Sequence, residues 1–431
     1  MIDRYKIKKI ADLFSLQKRY ETFLDIELAN IKALVQLRVV PKSDYDKIKR
    51  LAKVNVKRIN EIEKHTKHDM IAFTRQIGEC LGSEKRWFHY GLTSSDVVDT
   101  AMSVLYAEAT DMLIDDINAL LKAYKVKALK YKTTPCIART HGMHAEITSF
   151  GLKFVRFYDE LNRNKQRLIE AKDQLCLVKL SGAVGNFAMI NPKVQELVAK
   201  ELKLNTPKIA TQIIARDNHT NYLNVLALIA AALENACVEF RNLSRNEIGE
   251  VAEYFDKNQK GSSAMPHKHN PISFENICGL GRLIKGYAMS SYENIPLYHE
   301  RDISHSSFER IAFPDAINLT SYILQRMTKT IDELVVFDYS IKRNIGLTKG
   351  VVFSERVLTA LINKGMSRED AYDLIQAIAK DTLEGKFANF EHGLWNSDIV
   401  KQYLNKNDLK KLFDPSYFVR NVDLIYKKAG I

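Results

Sequence analysis

Residues 97–132 read VVDTAMSVLYAEATDMLIDDINALLKAYKVKALKYK, a run without a single glycine or proline. Ala, Leu, Met and Lys fill it, and these side chains lose little freedom in a helix. The run predicts one long helix. Two more stretches are nearly as unbroken: 145–180, interrupted only by Gly151, and 217–255, interrupted only by Gly249. Within the second, residues 225–236 are apolar on almost every side, so that helix must be surrounded by other helices. Segments 271–291 and 302–330 read the same way. The five together predict a central bundle of about five long helices.

Working outward, residues 16–39 and 44–63 form shorter amphipathic patterns, with Pro41 and Ser43 marking the turn between them. Beyond about residue 341 the segments shorten again, and Ser367-Arg-Glu-Asp370 resembles a capping box opening a helix of ordinary length. There is no series of alternating strands, no internal repeat and no low-complexity segment. The expected fold is all-α in three domains: a helical domain over 1–93, the long-helix bundle over 94–341 and a helical domain over 342–431.

Composition bounds the function. Only 18 Gly and 9 Pro occur in 431 residues, which suits long helices, and 46% hydrophobic with 27% charged residues is a globular profile. Cys80, Cys136, Cys176, Cys237 and Cys278 are scattered and lack metal spacing, so they read as free thiols in a reducing compartment. The first ten residues, MIDRYKIKKI, lack the apolar run of a signal peptide, and the longest apolar run, 225–233, is about half a membrane span. A cytoplasmic location is expected, with no membrane partner. The net charge of +12 comes from Lys and Arg spread along the chain among acids, with no dense basic block interleaved with aromatics. Nucleic acid is therefore not the expected partner, and a polyanionic small substrate accounts for the balance equally well.

Four polar clusters interrupt the helices. The first is His65-Thr-Lys-His68-Asp69, with Thr74-Arg75 behind it. The second is His89-Tyr-Gly-Leu-Thr93-Ser94-Ser95-Asp96, just before the first long helix. The third is Arg139-Thr140-His141-Gly-Met-His144-Ala-Glu146, just before the second. The fourth, GSSAMPHKHNP at 261–271, precedes the fourth. Gly261 and two serines let backbone amides approach a ligand. Asn270-Pro271 reads as an N-cap followed by Pro at the first helical position, placing a helix N-terminus beside Lys268, where an anion is the natural guest. Thr93-Ser94-Ser95-Asp96 reads as an ordinary N-cap whose hydroxyls and amides also suit a carboxylate. His141 and His144, or His65 and His68, have a metal-compatible separation on a helix, but no third ligand stands at zinc spacing, so no metal and no cofactor are expected. An acid–base role suits His141 best.

Three of these regions, Thr93-Ser94-Ser95-Asp96, Thr140-His141 through Ala145, and 261–271, together resemble the fumarase/aspartase superfamily. Within it, Met265-Pro-His-Lys268 before Asn270-Pro271 is similar to the adenylosuccinate lyases. So are His68-Asp69, His89-Tyr-Gly-Leu-Thr-Ser, Arg139-Thr-His-Gly and Tyr298-His-Glu-Arg-Asp-Ile-Ser-His-Ser-Ser307. The resemblance runs from Arg4-Tyr5 to Asn421-Val-Asp-Leu. It implies the three-domain superfamily fold and a homotetramer with active sites shared between subunits. It also implies β-elimination of fumarate from adenylosuccinate and from the succinyl-aminoimidazole carboxamide ribotide of purine synthesis.

At matching positions Ser262 is the implied general base and His141 the general acid, with Glu275 orienting His141 and His68 beside the reacting centre. Lys268 and Asn270, with Thr93 and Ser94, hold the succinyl carboxylates. His68 and Gln212 lie along the substrate, and Arg4, Tyr5, Arg301, Ser306 and Arg310 lie near its phosphate. Lys67, Asp69, His89 and Ser263 complete the implied binding set. The chemistry fits these types. Proton loss beside a carboxylate builds charge that preorganised donors must absorb, and the departing nitrogen takes a proton that an imidazole supplies. His269 departs from the family pattern, which has Arg or a small apolar residue there. Two other readings remain open: a sister lyase of the argininosuccinate or aspartase type, and a non-catalytic helical scaffold or nucleic-acid-binding protein.

Overall fold

The structure, a computed structural model, describes residues 2–258 and 260–431. The five long segments are mainly helical, as Ser94–Lys130, Phe150–Leu175, Arg216–Leu243, Ile272–Ser291 and Ser304–Asp332, although the second stops short of residue 180 and the third short of 255, where Val251–Ala252 is a strand. Among the described residues, strands are confined to two two-stranded ribbons, so the fold is all-α. By contacts the chain divides into two compact units. One holds residues 1–119, 161–234 and 276–327, the other 120–160, 235–275 and 328–431, and every long helix gives a segment to each.

In the first unit, Phe23, Ile26, Phe73, Val97, Ala101 and Val178 belong to one buried cluster, with the rings of Tyr20 and Phe73 stacked at 5.8 Å. A second knot joins Tyr106 to Phe313 at 4.7 Å and Tyr222 to Phe313 at 6.1 Å. The Ser94–Lys130 helix begins at a buried hub. Asp96 accepts from Thr93 N at 2.9 Å, from Ser181 N and Gly182 N at 3.2 Å each, and from Lys179 Nζ at 2.7 Å. Lys179 and Asp96 are both wholly buried, and the ammonium also donates to the Gly182 carbonyl at 2.7 Å.

In the second unit Phe240 lies 5.5 Å from both Phe154 and Phe274, and the C-terminal helices close over Val357, Leu361, Ile375, Phe390 and Leu394. Ser367 caps the Arg368–Leu383 helix as its sequence predicts, accepting from Asp370 N at 3.1 Å.

Three expectations need correction. Residues 145–149 are not helical. They lie in the strand Met143–Ser149, antiparallel to Pro135–Thr140. His141 (φ 54°) and Gly142 (φ 77°) both have left-handed backbones between the paired Thr140 and Met143, the signature of a two-residue primed hairpin turn. No helix passes through two such residues, and the β-branched Ile147 and Thr148 suit the returning strand. Residues 44–63 form two helices, Lys42–Leu51 and Val56–Thr66, because Asn55 accepts from Arg58 N and starts the second. The Ile272–Ser291 helix is not capped by Asn270. The Glu253 carboxylate accepts from Ser273 N at 3.0 Å and Phe274 N at 2.8 Å, so the anion at this N-terminus is the protein's own.

Candidate active site

The first unit contains a cavity of about 260 Å³ that gathers eight of the residues singled out in the sequence: His68, Asp69, Thr93, Ser94, Gln212, Arg301, Ser306 and Arg310. They come from four places in the chain. His68 caps the Asp69–Gly78 helix, its Nδ1 accepting from Ile71 N at 3.4 Å. Thr93 and Ser94 stand at the start of a long helix whose first turn is closed by the Asp96 carboxylate. Gln212 accepts from Arg301 Nη1 at 2.9 Å, and Arg310 Nε reaches Ser306 Oγ at 3.4 Å. Arg310 Nη2 also donates to Asp69 at 2.8 Å. Burial works against the charge of Asp69, but the hydrogen bond from Arg310 and the charges of Arg19 and Arg310 outweigh it and hold its carboxyl below the usual range.

The same wall holds a buried network that the sequence did not disclose. Arg216 donates to both oxygens of Asp99, at 2.8 and 3.0 Å, and to both of Glu309, at 2.9 and 3.2 Å. Burial opposes the charge of Asp99, yet Arg216 holds it at about 2. Burial pushes Glu309 up to about 7; Arg216 pulls it down and Asp99 pushes it up. One guanidinium thus serves a firmly ionised acid and one poised near neutrality. Burial and the nearby Arg216 also push His305 down to about 4 and His219 well below its ordinary value, so two neutral imidazoles line the cavity beside the cations. Asp99 and Arg216 are 117 positions apart, and nothing local in either segment announces the pair.

Other predicted residues of this unit lie outside the cavity wall. Arg4 is exposed. Tyr5 is fixed by Asn318, whose Nδ2 donates to the Tyr5 carbonyl at 2.7 Å while its Oδ1 accepts from Ile7 N at 2.8 Å. Lys67 is the exposed left-handed residue (φ 54°) that ends the Val56–Thr66 helix. His89 binds Glu27: Nδ1 lies 2.6 Å from Oε1, and its backbone N–H donates to Oε2 at 2.9 Å. Burial disfavours the charged ring, but the hydrogen bond and charge of Glu27, with Asp96 beyond, raise His89 above its ordinary value.

The second unit carries the remaining residues. His141 occupies the exposed tip of the hairpin. His144 is on the returning strand opposite Arg139, so the helical spacing a metal pair requires is absent. Arg139 donates to the buried Glu250 at 2.8 Å. In the 261–271 segment Ser262 Oγ accepts from Ala264 N at 3.3 Å and Met265 N at 3.1 Å, and Asn270 Nδ2 donates to the Gly261 carbonyl at 3.2 Å. A Cβ on Gly261 would stand 2.2 Å from the Lys268 carbonyl oxygen, so only glycine permits this approach. Ser263 and Lys268 are exposed, and Glu275 lines a groove with Arg241, Arg245 and Pro271.

Comparison with known proteins agrees with this architecture. Residues 6–286 match the lyase family, and residues 350–429 match the family described as the adenylosuccinate lyase C-terminus. Two solved structures share the fold. The fumarate lyase of Mesorhizobium sp. BNC1 superposes with a TM-score of 0.90 at 24% identity, covering 100% of this chain and 99% of that one. The 3-carboxy-cis,cis-muconate lactonizing enzyme of Pseudomonas putida gives 0.87 at 25% identity, covering 99% and 96%. The adenylosuccinate lyase of Bacillus subtilis (strain 168) is 44% identical over 431 residues, 100% of both chains. The chain belongs to the lyase family and, within it, to the adenylosuccinate lyases.

Proposed function

We propose that this protein eliminates fumarate from adenylosuccinate, giving AMP, and from the succinyl-aminoimidazole carboxamide ribotide, giving the carboxamide ribotide. The observation that carries this reading is the full-length 44% identity to an adenylosuccinate lyase together with the matching C-terminal family. The cavity supports it: Arg301, Arg310 and Ser306 suit a phosphoryl group, and Thr93 and Ser94 at a helix start suit a carboxylate.

In the proposed reaction the Ser262 alkoxide takes the proton from the carbon beside the carboxylate, the carbon–nitrogen bond breaks, and His141 gives a proton to the departing nitrogen. A neutral hydroxyl is a weak base, and its alkoxide needs stabilisation. The amides of Ala264 and Met265, both donating to Ser262 Oγ, favour the charged form. Lys268 and Asn270 bind the carboxylates, while Glu275 orients His141. Arg4, Tyr5, Lys67, His68, Asp69, His89, Gln212 and Ser263 complete the binding surface.

We further propose that the site is assembled between chains of a tetramer. The cavity of the first unit has none of Ser262, His141 or Lys268 in its wall. Leu228 and Val238 on the Arg216–Leu243 helix are 47% and 44% exposed, and Leu283 on the Ile272–Ser291 helix is 53% exposed. Apolar side chains exposed on long helices suit a helical interface between copies.

The test is fumarate release by the purified protein from each substrate without added metal or cofactor. Turnover of argininosuccinate in place of both would assign a sister reaction. Ser262→Ala and His141→Ala should each abolish turnover with the oligomer intact, and mixing the two variants should restore part of it. No recovery after confirmed subunit exchange would refute the shared site.

A further inference from the structure

Arg19 has no part in the reaction as set out above, yet it lines the second of two cavities of the first unit that share part of their walls. One is the cavity already described. The other, of about 270 Å³, is lined by Phe14, Leu16, Arg19 and Leu105 and shares Ser306 and Arg310 with the first. The Arg19 side chain is only 15% exposed. Its guanidinium lies over the Phe23 ring at 5.3 Å, and its Nε is buried without a hydrogen-bond partner. Its nearest anion is Asp69. Asp69 Oδ2 is 2.8 Å from Arg310 Nη2 and 3.6 Å from Arg19 Nη2. One carboxylate oxygen therefore faces two guanidinium groups, hydrogen-bonded to the first and within about 1 Å of a bond to the second.

We propose that Arg19 is a positioning residue for phosphate binding, the alternative partner that receives the Asp69 carboxylate when a phosphoryl group takes Arg310. The proposal rests on the reading of Arg301, Ser306 and Arg310 as the phosphate end of the site. With Asp69 held against Arg310, an incoming phosphate meets both a competitor for the guanidinium and a like charge a few ångströms away. A turn of Asp69 toward Arg19 relieves both problems, and it brings an acceptor to a buried guanidinium whose Nε has no partner at rest. Burial and the neighbouring Arg310 lower the proton affinity of Arg19 in the resting state, against the opposing pull of Asp69.

The test compares AMP with adenosine, which lacks the phosphate, on the full-length protein carrying Arg19→Met, Asp69→Asn or both. Arg19→Met should weaken AMP roughly tenfold, about 1.4 kcal/mol, and leave adenosine unchanged. In the Asp69→Asn background the same substitution should change AMP affinity less than twofold, roughly, because no carboxylate remains to be received. Arg19→Lys, which keeps the charge and most of the packing on Phe23, should recover most of the loss. Equal weakening of AMP and adenosine would show a structural role and overturn the proposal. So would an undiminished loss in the Asp69→Asn background, or no loss at all. Arg310→Met distinguishes the underlying reading: if that variant binds AMP normally, the cavity is not the phosphate site, and both readings fall.

Discussion

The imidazole of His269 lies flat on the ring of Phe255, with centroids 3.8 Å apart and planes 4° apart. This stack joins the two ends of the segment that carries Ser262 and Lys268, and it accounts for the one residue that departs from the family pattern. A flat π-surface on Phe255 accepts either an imidazole or a guanidinium. His269→Arg should therefore keep near-normal turnover. His269→Ala should lose about 1 kcal/mol of stacking and lower kcat several-fold, with the same loss in Phe255→Ala and little more in the double variant. Steady-state kinetics on the three proteins checks this, and additive losses would mean that the rings act separately.

Gly261 holds the same segment from inside. A Cβ there would meet the Lys268 carbonyl at 2.2 Å and Phe255 Cζ at 3.1 Å, and the backbone carbonyl cannot swing away cheaply. Gly261→Ala should lower kcat at least tenfold, roughly the effect of about 1.4 kcal/mol of misplacement. The melting temperature should stay close to the parent value, because the segment is exposed. Normal kcat would show that the close approach does not matter for turnover.

The sequence made the helical fold legible because glycine and proline are missing from long runs, and periodicity then needs no tertiary help. It misplaced residues 145–149 because a hairpin turn built on His141 and Gly142 overrides the helical character of the following segment. At the fourth cluster the pattern announced a helix N-terminus, but Glu253 lies seventeen positions before Asn270 and still takes the amides that a local reading leaves free for a ligand. The Asp99–Arg216–Glu309 network was illegible for the same reason. An ordinary acid at a helix start and an ordinary arginine at another become a buried charge network only when the chain brings them together.

The Asp96–Lys179 pair offers a stability test of one such long-range contact. Both groups are wholly buried, and removing one partner of a buried pair costs about 3–5 kcal/mol because the other is left uncompensated. Asp96 keeps three backbone donors, from Thr93, Ser181 and Gly182, so Lys179→Met should fall at the lower end, near 3 kcal/mol. The urea midpoint measures it. The Thr93-Ser94 turn hangs on the same carboxylate, so KM should rise as well. A midpoint within error of the parent would mean that the ammonium contributes nothing beyond filling space.

Glu309 provides the pH dependence. Its carboxyl titrates at about 7 in the folded protein, against about 4.3 in an unfolded chain. The folded state therefore holds a proton that the unfolded state has released across this window. The contribution of Glu309 itself to stability should fall as pH rises from about 4.3 toward 7 and then level off. His305 and His219, held neutral in the folded state, contribute in the opposite sense as pH rises toward their ordinary values, so the Glu309 share is the difference between parent and Glu309→Gln. Above 7 the cavity also gains a negative charge in its wall, which opposes an anionic phosphate. KM for the nucleotide substrate should carry a component that worsens several-fold as pH rises through about 7. Glu309→Gln retains an acceptor for Arg216 but cannot ionise, so its KM profile, divided into that of the parent, isolates this component from the ionisation of the substrate. The quotient should bend near 7, and a flat quotient across the neutral range would show that Glu309 does not titrate there.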